Sequence, residues 1–379
     1  MEPVAQISLT PGLPRAKLTV FYVQPLVTRY RVEVIDTLSR LFKVKVFANS
    51  SGIESRGFSR EAPSCDEFVE TGITHVFTCR IKLQARVFGE IVRVRPAAVL
   101  IFADMSYLSL WLALLAGRAL GVPVVIHGQG LYRHAKPRLA RTVCYRAAVA
   151  LSTRYVCYSE ASRLSLERIG CPRAKLIVAD NSLCVTRTVK PEEKTGNEQG
   201  VLFLGRLRDG SSVECLIEAV EQLHRHGHEI VLHLVGDGEH RGRLQRTYAN
   251  SPYLIWHGAI FDDEEIAAIS RRCRIGCYPG DAGLSVVHMF GLSLPPLVHD
   301  QLELHMGPEP EYVEHGANGF LYHRESGAGT LAATLEQIWV LPPESIREVS
   351  ARAFSKYQQL NSPSLGQRLA AIVDSAIQQ

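Results

Sequence analysis

The chain has 379 residues, too many for one ordinary hydrophobic core and suited to two domains of similar size. Hydrophobic residues make up 46% and charged residues 21%, and the nine cysteines are scattered without a Cys-x-x-Cys pair, which excludes a disordered chain, a disulfide scaffold and a zinc module. The net charge of +4 hides an asymmetry: residues 1–190 carry 27 Lys and Arg against 13 Asp and Glu (+14), and residues 191–379 carry 15 against 25 (−10). A basic half can face anionic lipid, nucleic acid or a phosphorylated substrate, or be only a solvated arginine-rich surface. Because the basic residues are dispersed and no recognition module is present, nucleic acid is the least favoured of these.

Residues 1–16 form a polar, proline-containing arm without an apolar leader core, so they predict a flexible start and no secretory signal. Reduced cysteines agree with a cytoplasmic location. A first apolar strand at 18–23 ends at Gln24-Pro25, a helix follows with Tyr30, Val34, Leu38 and Leu41 on one face, and a second strand spans 44–48. Residues 50–72 read as a loop. Further strands are expected at 75–79, 99–103, 122–127, 155–158 and 176–178, with helices at 82–95, 106–120, 137–151 and 160–169. The apolar stretch 99–126 is interrupted by Asp104, Arg118 and Pro123, so it reads as strand, helix and strand rather than a membrane span.

Residues 185–199 are polar with almost nothing to bury and read as a linker between an N-terminal domain, 17–184, and a C-terminal one, 200–345. The alternation restarts with strands at 201–204, 230–235, 253–256, 275–278, 297–298 and 319–322. Asp262, with Glu265 three residues on, predicts an N-cap. A last helix over 346–379 can pack back on the first domain. Alternating short strands and amphipathic helices predict an α/β protein with parallel sheets covered on both faces.

The segment Tyr278-Pro-Gly-Asp-Ala-Gly283-Leu-Ser-Val-Val-His288 stands out. A strand enters a glycine turn and leaves as a helix, which exposes unpaired N–H groups at the positive end of a dipole. Gly283, Leu284 and Ser285 are therefore candidate phosphate ligands, with Arg206 beside a second glycine turn as their cation. Asp281 either caps the helix or accepts sugar hydroxyls. His288 is either a ribose contact or a satisfied core histidine. Gly236-Asp-Gly238 is either a plain strand-to-helix turn with Asp237 capping the next helix, or one whose glycines also let a nucleotide base approach. His127 and Gln129, after an N-domain strand, either position substrate or bond to the loop backbone. No metal ligands are spaced for binding.

Gly205-Arg-Leu207, Leu216-Ile-Glu-Ala219, Val235-Gly-Asp-Gly238, Tyr278-Pro279, Gly283-Leu-Ser285 and Gly316-Ala-Asn-Gly319 recur in order, as do Tyr30-Arg31, His127-Gly-Gln-Gly130, Tyr158-Ser-Glu160 and Asn181-Ser182. Together they resemble family 4 retaining glycosyltransferases, bacterial members in particular. The resemblance implies a GT-B fold of two Rossmann-like domains facing across a cleft. It implies a nucleotide-diphosphate sugar as co-substrate, no cofactor or metal, and transfer with retention. A glycan or lipid-linked acceptor, in polysaccharide synthesis at the inner face of the plasma membrane, would explain the +14 half through attraction to anionic headgroups. In that pattern Arg206 and a following lysine hold the diphosphate, and two glutamates flank the turn. Here Ser211 stands at the lysine position, Gly280 at the first glutamate and His288 at the second. Arg208 is a substitute cation and Asp281 a substitute carboxylate. These departures keep open a non-catalytic relative that only binds nucleotide sugar or a partner enzyme. A sugar-nucleotide epimerase on the same fold fits the segments less well.

Overall fold

Two parallel sheets, each built from a βαβ series, organise the chain. The first half contributes β1 (Thr19–Val23), β2 (Lys43–Ala48), β3 (Glu67–Glu70), β4 (Ile73–Val76), β5 (Ile81–Gln84), β6 (Ala98–Phe102), β7 (Val124–Gly128), β8 (Arg154–Cys157) and β9 (Leu176–Val178). Seven of these form one sheet in the order β3-β2-β1-β6-β7-β8-β9. The second half contributes β10 (Gly200–Leu204), β11 (Val231–Val235), β12 (Leu254–Gly258), β13 (Cys273–Cys277), β14 (Pro296–His299) and β15 (Phe320–Tyr322), ordered β12-β11-β10-β13-β14-β15. In both sheets the strand order reverses beside the first strand, so each half has a crevice at the carboxyl ends of its central strands, where ligands of such sheets bind. The coordinates are a computed structural model that describes residues 17–50, 63–76, 81–134, 136–324 and 327–379. The expected arm at 1–16 lies outside the described residues. No helix among them is long and apolar enough to cross a membrane.

Helices cover both sheets: α1 (Val32–Leu41), α2 (Val87–Val94), α3 (Leu108–Leu120), α4 (Leu139–Leu151) and α5 (Glu160–Arg168) on the first, then α6 (Val213–Arg225), α7 (Arg241–Thr247), α8 (Asp263–Ser270), α9 (Ser285–Gly291) and α10 (Gly327–Trp339) on the second. Asp262 caps α8 by accepting from the Glu264 N–H, as its position predicts. The expected last helix is two, α11 (Pro343–Leu360) and α12 (Leu365–Ile377), because Pro363 interrupts the ladder. Tyr357 and Leu360 of α11 lie in the core of the second half. Leu365, Leu369, Ala370 and Val373 of α12 instead join Val20, Tyr22, Ile35 and Leu38 in the first. Arg368 fastens this return by donating to the carbonyls of Ala179 and Asp180.

Three expectations need correction. The stretch read as a helix over 82–95 begins with β5, which pairs antiparallel with β4, and its helix is only α2. The strand expected at 75–79 is β4, and residues 77–79 lie outside the described part. The loop expected at 50–72 contains β3, an edge strand held by the Lys45–Glu67 ion pair at 2.7 Å. The linker is also not free of buried groups: Val185 and Val189 enter the second core, and the Lys194 ammonium donates to the Ser270 and Cys273 carbonyls just past α8. Two valines four apart and one lysine suffice to lay a polar sequence against the domain.

Leu369 is fully buried in α12. Leu369→Ala should lower unfolding stability by about 2–4 kcal/mol, read as a lower urea midpoint.

Candidate active site

The strand β13 ends at Cys277, and the chain turns through Tyr278-Pro279-Gly280 to reach α9. Backbone bonds lock the turn: Asp281 N–H donates to the Gly210 carbonyl (2.7 Å), and Met306 N–H donates to the Ala282 carbonyl (2.9 Å). The Ala282 N–H donates to His305 Nδ1 (3.1 Å), and His305 Nε2 bonds the His299 carbonyl (2.9 Å). Such a network requires neutral His305 with its proton on Nε2, and burial pushes its pKa down to about 4. Past this point the N–H groups of Gly283, Leu284 and Ser285 have no acceptor among the described residues.

Each expected site residue has a definite place. Arg206 leaves the end of β10 beside Tyr278, whose phenol is raised mainly by burial, opposed by Arg208 and Arg206. Arg208 reaches the Asp281 carbonyl at 3.4 Å and the Met306 sulfur at 3.4 Å, so the structure brings the loop that carries both arginines to the turn. Ser211 is no stand-in cation: its hydroxyl donates to the Arg208 carbonyl (2.7 Å) and accepts the Arg208 N–H, which closes the loop locally. Gly280 has no room for a side chain. A Cβ there would overlap the Gly210 carbonyl oxygen and stand 2.6 Å from Ser211 C. The absent glutamate is thus a consequence of packing.

Gly236 and Gly238 also serve close approach, since a Cβ on either would overlap the Gly205 or Leu207 carbonyl oxygen. They pack β11's turn against β10's. Asp281 does not cap α9. Its carboxylate is ion-paired with Arg324 at 3.1 Å, and Arg324 also bonds His299 Nε2 at 3.0 Å. His288 lies on α9 with Nε2 3.8 Å from Asp263, which in turn accepts from the Thr186 N–H (2.7 Å) and hydroxyl (2.6 Å). Burial lowers its pKa. His127 ends β7 almost fully buried, its ring 4.5 Å from that of Tyr158, and half-buried Gln129 follows. Burial, then Arg31, hold His127 well below the usual imidazole range, so it is a neutral ring.

The segment 305–312 carries the turn across to the first half, and sequence reading gave it no role. Tyr132 Oη donates to the His305 carbonyl (2.8 Å), Tyr312 Oη to the Tyr158 carbonyl (3.0 Å), and the Ala161 N–H to Glu311 (3.0 Å) at the first turn of α5. Asn181 Nδ2 donates to Glu309 Oε1, and Arg31 Nη2 donates to Asn181 Oδ1 (2.7 Å). The available signal was a carboxylate after Gly307-Pro308, which looks like any surface loop. Metal-ligand spacing was equally silent about Asp209, Glu239 and His240, whose ligand atoms lie within 4.8 Å of one another. Both carboxylates are exposed, and Asp209 is paired with His240 Nε2 at 2.8 Å on the rim of a shallow hollow of about 160 Å³.

Both halves match known families. Residues 27–182 match the Glycosyl transferase 4-like domain, and residues 198–339 match Glycosyl transferases group 1. The chain belongs to the GT-B glycosyltransferases. HepE of Anabaena, solved with UDP, is 16% identical with a TM-score of 0.68, covering 94% of this chain and 100% of that one. A glycosyltransferase from Rickettsia africae is 13% identical with a TM-score of 0.69, covering 96% and 99%. The pneumococcal O-GlcNAc transferase GtfA, solved with UDP and GlcNAc, is 9% identical with a TM-score of 0.66, covering 96% and 100%. At such identities the likeness is one of fold. No curated protein matches the chain in sequence.

The glycosyltransferase buries several imidazoles as neutral rings: burial takes His233 to about 4 and His305 to about 4, and it also lowers His127. Below pH 6.5 the unfolded chain binds protons at these sites that the folded chain refuses, so stability is present above that pH and lost as pH falls. Each group can contribute up to about 1.4 kcal/mol per pH unit. The thermal midpoint should drop steadily between pH 6.5 and 5, and a flat profile would show that these rings are not buried.

Proposed function

We propose that the chain transfers a sugar from a nucleoside diphosphate sugar, held by the C-terminal half, to an acceptor seated against the basic N-terminal half. One observation carries this reading. The open amides of Gly283, Leu284 and Ser285 lie at the carboxyl end of β13, next to the arginine loop that follows β10, at the reversal point of the sheet. As the bond from the anomeric carbon to the diphosphate oxygen breaks, negative charge grows on the leaving diphosphate. Amides and guanidiniums already in place stabilise that charge more than they stabilise the bound donor, which is what lowers a barrier. The acceptor oxygen forms the new bond to the same carbon, and its proton passes to the leaving diphosphate oxygen. That route retains configuration and requires neither a protein base nor a metal. The neighbouring folds were solved with UDP, UDP-glucose or UDP and GlcNAc, which supports UDP as the nucleotide.

A lipid-linked or glycan acceptor at an anionic membrane surface accounts for the +14 half. The solvent face of α4 supports it: Leu139 is 79% and Val143 55% exposed, with Arg138, Arg141 and Arg146 exposed beside them. Apolar side chains ringed by arginine suit the boundary between headgroups and acyl chains. A non-catalytic role is weakened by Gly280, where packing alone explains the departure from the glutamate pattern.

Arg206→Ala should weaken binding of UDP about 10- to 100-fold by calorimetry and reduce transfer in parallel. Unchanged UDP affinity would remove Arg206 from the diphosphate grip. In flotation with vesicles containing anionic phospholipid, Leu139→Asp should leave the protein unbound while wild type floats at low salt. If wild type itself stays at the bottom, the membrane part is wrong.

A further inference from the structure

Three buried polar atoms lack a hydrogen-bond partner among the described residues where the halves meet: Glu309 Oε2, His127 Nε2 and Arg31 Nη1. Their residues are 2%, 2% and 7% exposed. All three surround one short chain of contacts. Arg31 bonds Asn181, Asn181 bonds the other Glu309 oxygen, and the rings of Tyr158 and His127 lie 4.5 Å apart with the Arg31 guanidinium 5.7 Å from Tyr158.

Glu309 is the costly member. An interior carboxylate that serves only structure has both oxygens bonded, because an unsatisfied one is expensive to bury. Here Oε1 is held by Asn181 and Oε2 is left open. Its position is also built. The carboxylate lies over Gly307, where a Cβ would overlap it, and a Cβ at Gly283 would stand 3.6 Å from Oε2. An unpaired, buried carboxylate oxygen thus packs beside the same turn that presents the free amides. A diphosphate on those amides would repel it, so the part of the ligand next to it has to be uncharged. It accepts protons, so its natural ligands are hydroxyl groups on a neutral part of the same molecule.

We infer that Glu309 is the sugar-binding carboxylate of the donor site, its Oε2 accepting from ring hydroxyls of the transferred sugar while Asn181 and Arg31 hold it from the other half. The inference rests on the donor reading given above and assigns the orientation within it: diphosphate on the Gly283–Ser285 amides, sugar toward Glu309. Burial raises the Glu309 pKa, and its bond from Asn181 opposes that rise. Because the holding residues belong to the first half, the sugar subsite is complete only with the halves together as they are here.

The test compares UDP with UDP-glucose, UDP-galactose and UDP-N-acetylglucosamine on wild type, Glu309→Gln and Glu309→Ala. Glutamine keeps an oxygen for Asn181 and removes the charge, and UDP binding serves as the check that each variant is folded. Both variants should bind UDP within about twofold of wild type and bind the preferred UDP-sugar about 10- to 100-fold more weakly. With a deoxy-sugar donor lacking the contacted hydroxyl, the difference between wild type and Glu309→Gln should vanish. Equal losses for UDP and UDP-sugar would make Glu309 a tether between the halves and overturn the inference, as would wild-type affinity for the sugar donor in both variants. In either of those outcomes wild type still binds UDP and the donor reading stands. If wild type binds no nucleotide among UDP, GDP, ADP and dTDP, the donor reading fails and takes this assignment with it.

Discussion

The bond between Asn181 and Glu309 lies at the centre of the contacts that join the two parallel sheets, beside the linker and the returning helix. Around it lie the contacts that fix the seam: Tyr132 to the His305 carbonyl, Tyr312 to the Tyr158 carbonyl and Glu311 to the Ala161 amide. All of them come from one segment, which is itself hydrogen-bonded to the turn before α9 through Met306 and Ala282. The turn that exposes its amides and the strap that crosses to the first half are therefore one mechanical unit. A shift of either half displaces the turn. In a site whose rate depends on donors fixed before the reaction begins, such coupling is a requirement.

The same unit explains the departures from the glutamate pattern of the resembling family. Close packing of three loops, at Gly205, Gly236 and Gly280, replaces side chains by backbone contact, since a Cβ at 236 or 280 would overlap a neighbouring carbonyl oxygen. The loops gain proximity to the arginine turn and lose a place for a carboxylate. Asp281, the nearest acidic residue, is neutralised by Arg324. The open carboxylate of the region is Glu309, which reaches the turn from the strap.

Much of the architecture was legible because periodicity reports it. Strands with apolar runs such as 98–102 and 124–127 are buried on both faces, and the turns between them carry glycine or proline. Elements without that signature were misread. The strand β3 is charged at two of four positions and exposed at three, and β4 is partly exposed, so neither shows a core face. The linker hides two buried valines among polar residues. In the candidate site, the approach of the Arg206 loop to the Gly283 turn was legible because both follow directly on strand ends. Ser211 and Gly280 were visible as positions, but their state depends on loops 70 residues apart in the chain, and no local pattern carries that. Glu309 was invisible for the same reason: a carboxylate after Gly-Pro looks solvated until the other half closes over it.

Charge follows the division of labour between the halves. The second half carries a net −10, yet the groups it turns toward the reversal point of its sheet are amides and arginines. Its acidic residues are spent on surface pairs such as Glu214 with Arg243 and Glu193 with Arg271. The first half carries the excess arginine, much of it outward-facing around α4, and places in the seam Arg31, fixed by Asn181, and the uncharged His127. Under the proposed reading a diphosphate at the seam meets cations from the second half and Arg31 from the first, and Arg31 also reaches the Glu309 carboxylate through Asn181. The orientation proposed for the donor follows this charge distribution: its charged end toward the arginine turn and its hydroxylated end toward Glu309.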